Sequence, residues 1–323
     1  MKKVLILFSK SDWKTSVPFS NKKYMYSYEY FYNMCKEEGV QMYRASYQWY
    51  DYRKGIFKYA WIFEKKGGGW KRVYDIKPDL IYDKTKTRTE IEYKKELIGR
   101  RYNFFNNLEF TKIIDNKLNT SLLFSEWTKK NWLVNNIEDL SSVLNKITTE
   151  KAVLKPISLS GGEGIFIEDK EELIEVVNKS GVVLRDYILQ DFIDSSKGIP
   201  GVIKGVHDFR MVFVNDDLAY SYYRLPAEGS LLANLAQGGT MNLVSLNDLP
   251  TSLQPMIKRS KEIFSSFGSK VYTIDVMFDE KKRPWVVELN SMPGMCFEPG
   301  QERTKRELYD KLLKVFKENL EIS

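Results

Sequence analysis

Apolar and polar positions follow two rhythms along this chain. Residues 4–8 form a continuous apolar run, the pattern of a strand buried on both faces in a parallel sheet. A polar, serine-rich loop follows, then a helix over residues 24–38 that Gly39 ends, and a second strand over 40–45. Residues 56–63 and 71–76 read as a hairpin turned through Gly67, Gly68 and Gly69, and residues 79–83 after Pro78 as another sheet strand. Trp70 and Lys71 continue the β pattern without a Lys-Ser or Lys-Thr opening a helix, so the glycines are a turn and not a phosphate loop. Strand and helix alternate around an inserted hairpin, which predicts an open α/β domain of about a hundred residues.

Farther on, helices are expected near residues 115–124, 137–146, 171–178 and 253–267, with a terminal helix over 302–320. Between them, strands are expected at 152–155, 164–167, 189–193, 208–214 and 218–225. Strict alternation over 208–214 puts Asp208 and Arg210 on one face and Phe209, Met211 and Phe213 on the other.

The most informative pattern spans residues 271–295. Two β-rich apolar runs flank a charged turn ending at Pro284, which is an antiparallel hairpin. A turn symmetric about Lys281 and Lys282 sets Asp275 opposite Glu288, and alternation puts Asn290 on the same face. Facing carboxylates repel, so a fold that keeps them needs a cation or a proton between them. Oxygen ligands without a nearby His or Cys favour magnesium or manganese held partly by a substrate's phosphates.

A second stretch joins two strands through Ser158, Ser160, Gly161, Gly162 and Gly164. Small residues let several backbone N–H groups face one concavity and bind phosphate oxygens. Lys155, ending the first strand, can add a point charge to the same phosphates. Taken alone, the glycine hairpin is an ordinary turn and Lys117 a solvated lysine.

Composition narrows the classes. The chain has 323 residues, 43% hydrophobic and 29% charged, which is that of a soluble globular protein of two or three units. No apolar run spans a bilayer and no signal-peptide pattern follows Met1, which reads as cytoplasmic. Cys35 and Cys296 give neither a disulfide framework nor a zinc spacing and read as packing residues. The single histidine, His207, reads as structural, leaving no histidine-based triad. A net charge of +7 is spread over 50 basic and 43 acidic residues without a dense basic block, so neither nucleic acid nor a membrane is an expected partner.

Together, Lys117, Leu154-Lys155-Pro156, Gly161-Gly162-Glu163-Gly164, Gln190-Asp191-Phe192, Asp208-Phe209-Arg210, Arg224, Asn234 before Gly238-Gly239, Asp275, and Glu288-Leu289-Asn290 resemble the ATP-grasp ligases. The likeness is greatest to bacterial glutathione synthetases and to the ligases that add glutamate to a ribosomal protein. It implies an ATP-grasp fold of the α/β (α+β) class, with a pre-grasp α/β domain (1–105), a middle lid subdomain (106–187) and a C-terminal subdomain holding the metal (188–323). By the same resemblance Lys117 and Lys155 contact ATP phosphates under a lid of Ser160, Gly161, Gly162 and Gly164. Gln190, Asp191 and Phe192 form the adenine hinge, and Asp208 joins the cofactor-binding set. Asp275, Glu288 and Asn290 hold Mg2+ or Mn2+. Arg210 and Arg224 face the transferred phosphoryl and the substrate carboxylate, and Asn234 helps at the metal or phosphate end. The implied chemistry is an ATP-dependent union of a carboxylate with an amine, each a small molecule or peptide, through an acyl phosphate. The alternative is an inactive grasp-fold relative with a nucleotide-binding structural or regulatory role. After Asn290 the sequence departs from glutathione synthetases, so substrate identity does not carry over, and the sequence leaves the oligomeric state open.

Overall fold

The computed structural model describes residues 1–10, 13–65, 68–85, 88–159, 161–199, 201–228 and 239–321. Two sequence-predicted site residues, Ser160 and Asn234, lie outside the described residues. Three sheets organise the chain.

The first sheet contains β1 (Lys2–Phe8), β2 (Val40–Ser46), β3 (Tyr50–Asp51), β4 (Ile56–Glu64), β5 (Gly69–Ile76), β6 (Leu80–Lys84) and β7 (Phe104–Phe105). β1 runs parallel to both β2 and β6 at its centre, and the glycine-turned hairpin β4–β5 is antiparallel. The unbroken apolar run of β1 has the expected cause: Val4 and Ile6 enter one core, Leu5 and Leu7 another on the opposite face. Helix α1 (Lys22–Glu37) starts where the side chain of Asn21 accepts from the N–H groups of Lys23 and Tyr24, and packs on the Val4 face. Helix α2 (Thr89–Gly99), absent from the sequence reading, covers the other face.

The second sheet has the order β10-β9-β11-β8, from β8 (Asn131–Val134), β9 (Lys151–Pro156), β10 (Phe166–Asp169) and β11 (Tyr187–Asp191), with every neighbour antiparallel. Helices α5 (Ile137–Leu144) and α6 (Leu173–Ser180) cover one face, burying Ala152, Leu154 and Leu189. Alternation turns Val153 and Lys155 to the uncovered face, where they line a cavity.

The third sheet, order β14-β13-β12-β15-β16, comprises β12 (Asp208–Val214), β13 (Asp217–Leu225), β14 (Thr240–Val244), β15 (Val271–Phe278) and β16 (Pro284–Asn290). Phe209, Met211 and Phe213 pack on helix α7 (Gln254–Phe264), as the alternation of β12 requires. Helices α3 (Leu108–Ile114) and α4 (Lys117–Leu123) border this core, to which α3 gives Phe110 and Ile114. The segment therefore packs with the third sheet and not the second. A unit boundary after residue 187 would also cut β11, which ends the second sheet at Asp191. His207 is fully buried: its Nε2 accepts from Phe278 N at 3.3 Å, and its Nδ1 sits 3.1 Å from the Gly205 carbonyl, so it is structural.

The terminal helix α8 (Glu302–Asn319) joins the first and third sheets in one core, with Tyr309, Leu312 and Phe316 meeting Phe31 and Tyr82 on one side and Val212 and Tyr220 on the other. The Tyr309 hydroxyl donates to the buried carbonyl of Met295 at 2.7 Å, anchoring the segment after β16. Tyr309→Phe should cost about 1–3 kcal/mol of unfolding free energy by stranding that carbonyl, a shift that urea denaturation can read.

Candidate active site

One face of the third sheet carries the charged residues singled out in the sequence. Pairing sets Tyr222, Arg210, Asp275 and Glu288 in a single row across β13, β12, β15 and β16. Adjacent rows on this face place Arg224 opposite Asp208 and Thr273 opposite Asn290. The facing of Asp275 and Glu288 arises by a different route from a symmetric turn. The hairpin pairs Phe278 with Pro284 and Val276 with Val286, one residue out of that register, and a bulge before Asp275 leaves Val287 as the extra residue and restores the pair. The bulge also aims the Val287 carbonyl outward, where it accepts from Lys155 Nζ at 3.1 Å.

The cation that the facing carboxylates require comes from the chain itself. Asp275 is 1% exposed. Arg210 grips both of its oxygens, with Nε to Oδ1 at 2.6 Å, and Arg224 Nη2 reaches Oδ2 at 2.9 Å. Burial pushes the Asp275 carboxyl upward, but the two arginines outweigh it and hold it below its ordinary value. Asp208, buried beside Arg224, is pushed up to about 6 because burial there outweighs the arginine. Glu288 has Lys117 Nζ 3.4 Å away and Arg210 Nη2 at 3.9 Å.

Lys117 and Lys155 converge on Glu288 from different elements. Lys117 opens α4 behind the Asn116 cap, and its ammonium donates to the Leu159 carbonyl at 2.6 Å. Lys155 is the last residue but one of β9 and is 3% exposed. Burial, with Lys117 repelling and Glu288 attracting, lowers its pKa to about 7. Such a buried ammonium suits a polyanion that would replace the lost water.

Between the second and third sheets lies a cavity of about 360 Å³. Val153, Ile167, Phe192, Met277 and Val287 make an apolar part, while Lys155, Asp208, Arg210, Arg224 and Glu288 make a charged part to which Asn290 adds an amide. Gly161 and Gly162 line it with φ of 76° and 77°, where a Cβ would be strained. Gln190 lines it as well. Gly164, at φ 73°, is not in the lining; a side chain there would meet the Tyr187 hydroxyl at 2.8 Å. The Asp191 carboxylate turns from the cavity to accept from Thr148 N at 2.7 Å, which leaves only its main chain to serve a hinge. The Phe192 N–H is likewise engaged, donating to Thr149 Oγ1 at 3.0 Å.

Several lining residues carried no signal as chemistry. Tyr222 could have been found by counting two back from Arg224 along β13, whereas Tyr24, Met277 and Met292 read only as ordinary apolar positions. The segment after β16 is held by side chains from elsewhere. Asp115 accepts from Ser291 N and Oγ, both at 2.7 Å, Asn106 Nδ2 donates to Ser291 O at 3.0 Å, and the Lys84 ammonium donates to Pro293 O.

Two features show whether the arrangement suits a bound magnesium nucleotide. Asp208 Oδ1 and Arg224 Nε are buried without a hydrogen-bond partner among the described residues, one orphan acceptor and one orphan donor in the charged part of the site. Asp275, Glu288 and Asn290 supply hard oxygens on one face, the donor chemistry that Mg2+ takes. Asp275 is enclosed by its arginines and does not line the cavity, and Asn290 Oδ1 accepts from Met292 N at 2.7 Å. Among the described residues no group of three or more His, Cys, Asp and Glu is placed to hold a metal ion, so the donor set rests on two carboxylates and an amide. The oxygens present suit Mg2+ in chemistry, and Asp275 is held by its two arginines.

Comparison with known proteins agrees with this picture. The chain is 23% identical over 158 residues to a "Probable alpha-L-glutamate ligase" of Shewanella halifaxensis, covering 49% of this chain and 31% of that protein. It thus spans about a third of that curated relative's length. Its fold matches the crystal structure of D-alanyl-alanine synthetase A from Vibrio cholerae O1 with a TM-score of 0.67 at 11% identity, over 99% of this chain and 98% of that one. The ATP-grasp ligase PsnB, complexed with a phosphomimetic variant of minimal precursor, Mg and ADP, gives a TM-score of 0.57 at 10% identity over 98% and 99%. At these identities the structures establish the fold, a mixed α/β ATP-grasp arrangement of three sheets. No helix among the described residues is long and apolar enough to cross a membrane. A family model for the RimK-like ATP-grasp domain matches residues 117–314, and the chain belongs to that family, whose ligases use ATP and Mg2+.

Proposed function

We propose that this chain is an ATP-dependent ligase that activates a carboxylate as an acyl phosphate and joins it to an amine. The observation that carries the reading is the gathering of Lys155, Asp208, Arg210, Arg224 and Glu288 in the lining of one cavity that also has an apolar part, with Lys117 and Asp275 held against them by ion pairs. Adenine fits the apolar part, among Val153, Ile167, Phe192 and Met277, with Gln190 at the hinge. Lys117, Lys155 and the backbone of Gly161 and Gly162 face the phosphates, with Ser160 and Gly164 belonging to the same lid. Asp275, Glu288 and Asn290 are the metal donors. Bound Mg2+ supplies positive charge against the phosphate oxygens of the transferred group.

The substrate carboxylate oxygen attacks the γ-phosphorus and ADP leaves. The amine then attacks the acyl carbon, loses a proton to water, and expels phosphate as the amide forms. Arg210 and Arg224 hold the flying phosphoryl and the oxyanion of the tetrahedral intermediate, charges that grow in both transition states. Asp208 orients Arg224. Asn234 is assigned to the phosphate end by its motif alone. The units that serve this chemistry are proposed as 1–105, a middle lid and a C-terminal metal-holding unit, with the middle sheet closing at Asp191.

Nucleotide binding provides the test. A phosphate group against Lys155 restores its charge, so a lysine lowered to about 7 when free takes up a proton on binding. At pH 8 the uptake should approach roughly one proton per nucleotide. Calorimetry of Mg-ATP in buffers of different ionisation enthalpy measures it; binding with no buffer dependence would remove Lys155 from the phosphate site.

A further inference from the structure

One end of the cavity is left unused by the reaction chemistry. Tyr222 neighbours Arg210 in the sheet row, and Tyr24 reaches in from α1 close enough that the two phenols influence each other electrostatically. Met292 and Gly294 complete that end, and none of the four carries a charge. The cations around it are engaged: Arg210 and Arg224 lie on carboxylates, Lys23, next to Tyr24 in the chain, pairs with Glu298 at 2.6 Å, and Lys84, which does not line the cavity, donates to the Pro293 carbonyl. Residues 225–239, which follow Arg224, contain no Lys or Arg, and their one charged residue is Glu228.

We infer that the substrate moiety seated at this tyrosine-walled end, on the carboxylate or the amine partner, bears a neutral, apolar side chain and not an acidic one. The inference rests on the ligase reading above. The two arginines are committed to the phosphoryl and to the carboxylate being activated. A second carboxylate would lose part of its water against Tyr24 and the buried Tyr222, and the one further cation in the lining, Lys155, is committed to the phosphates, while Lys84 lies outside the lining on the Pro293 carbonyl; a desolvated charge without a partner is costly. An aliphatic or aromatic side chain meets two aromatic rings and a thioether there, contacts that such walls reward. The side-chain class therefore differs from the glutamate in the name of the Shewanella relative.

The test compares near-isosteric pairs, glutamine with glutamate and asparagine with aspartate, alongside leucine, methionine and phenylalanine, as free amino acids and dipeptides, in ADP release with Mg2+ and ATP. Neutral members should exceed their acidic counterparts in kcat/KM by at least about 100-fold. Tyr24→Arg, at a half-exposed position near a helix start, should move that ratio toward the acidic member by about tenfold or more, and Met292→Arg should do so if the first variant folds poorly. An acidic member used equally well or better, a ratio unmoved in folded variants, or no turnover of any member by a protein that binds Mg-ATP would overturn the inference. Loss of Mg-ATP binding itself, measured separately, is the distinct result that refutes the ligase reading.

Discussion

Glu288→Gln is expected to lower turnover about a thousandfold while leaving the fold intact. The substitution keeps the shape of the side chain and removes one charged oxygen from the donor set opposite Asp275. Charge stabilisation of a transferring phosphoryl is worth several kcal/mol, and each 1.36 kcal/mol is about tenfold in rate. Stability should respond little, because two effects oppose. Repulsion from Asp275 falls, but that carboxylate is already neutralised by Arg210 and Arg224, and the attraction of Lys117 at 3.4 Å is lost as well. The net change should stay within about 1 kcal/mol for a partly exposed pair. Melting without metal, set beside magnesium-dependent ADP release, separates the roles: a purely structural Glu288 predicts near-normal turnover and a changed melt.

Lys155→Met should weaken nucleotide binding by roughly 10- to 150-fold, the worth of a hydrogen bond to a charged group, and at the same time stabilise the free protein. Burial has lowered the Lys155 pKa from 10.5 to about 7, so the folded chain carries a desolvated charge that the unfolded chain does not. The unfolded state binds more protons between pH 7 and 10.5, and the penalty is therefore complete below about pH 7 and relieved as pH rises toward 10.5. The gain from methionine should follow the same course, largest at low pH and fading with alkalinity. Urea titrations of both proteins at pH 6.5 and 9.5 measure it, and a pH-independent difference would mean that packing, not charge, governs the site.

Much of this arrangement was legible because periodicity carries it. The unbroken run of β1 and the alternation of β12 each follow from local pattern, and the latter puts Asp208 and Arg210 on the face that lines the cavity. What the pattern does not encode is packing between distant segments. The bulge at Val287 restores the Asp275–Glu288 register, yet nothing in a run of valines marks which one is extra. The arginine grip on Asp275 depends on a neighbouring strand more than sixty residues away. That the Asp191 carboxylate is taken by Thr148 N is likewise a contact between segments far apart in the chain. Helix α2, weakly amphipathic, announced itself by no periodicity, and the affiliation of α3 with the third sheet follows from Phe110 and Ile114 finding that core.

Formation of an acyl phosphate from ATP in this cavity can be followed through the oxygen that passes from carboxylate to phosphate. Amino acids and dipeptides labelled with oxygen-18 in their carboxylates are incubated with the chain, Mg2+ and ATP, and the products are read by mass spectrometry. Activation as an acyl phosphate predicts ADP together with phosphate carrying a single labelled oxygen taken from the carboxylate, and no label in the nucleotide. Label in AMP with release of pyrophosphate, or phosphate released wholly unlabelled while amide accumulates, would contradict it.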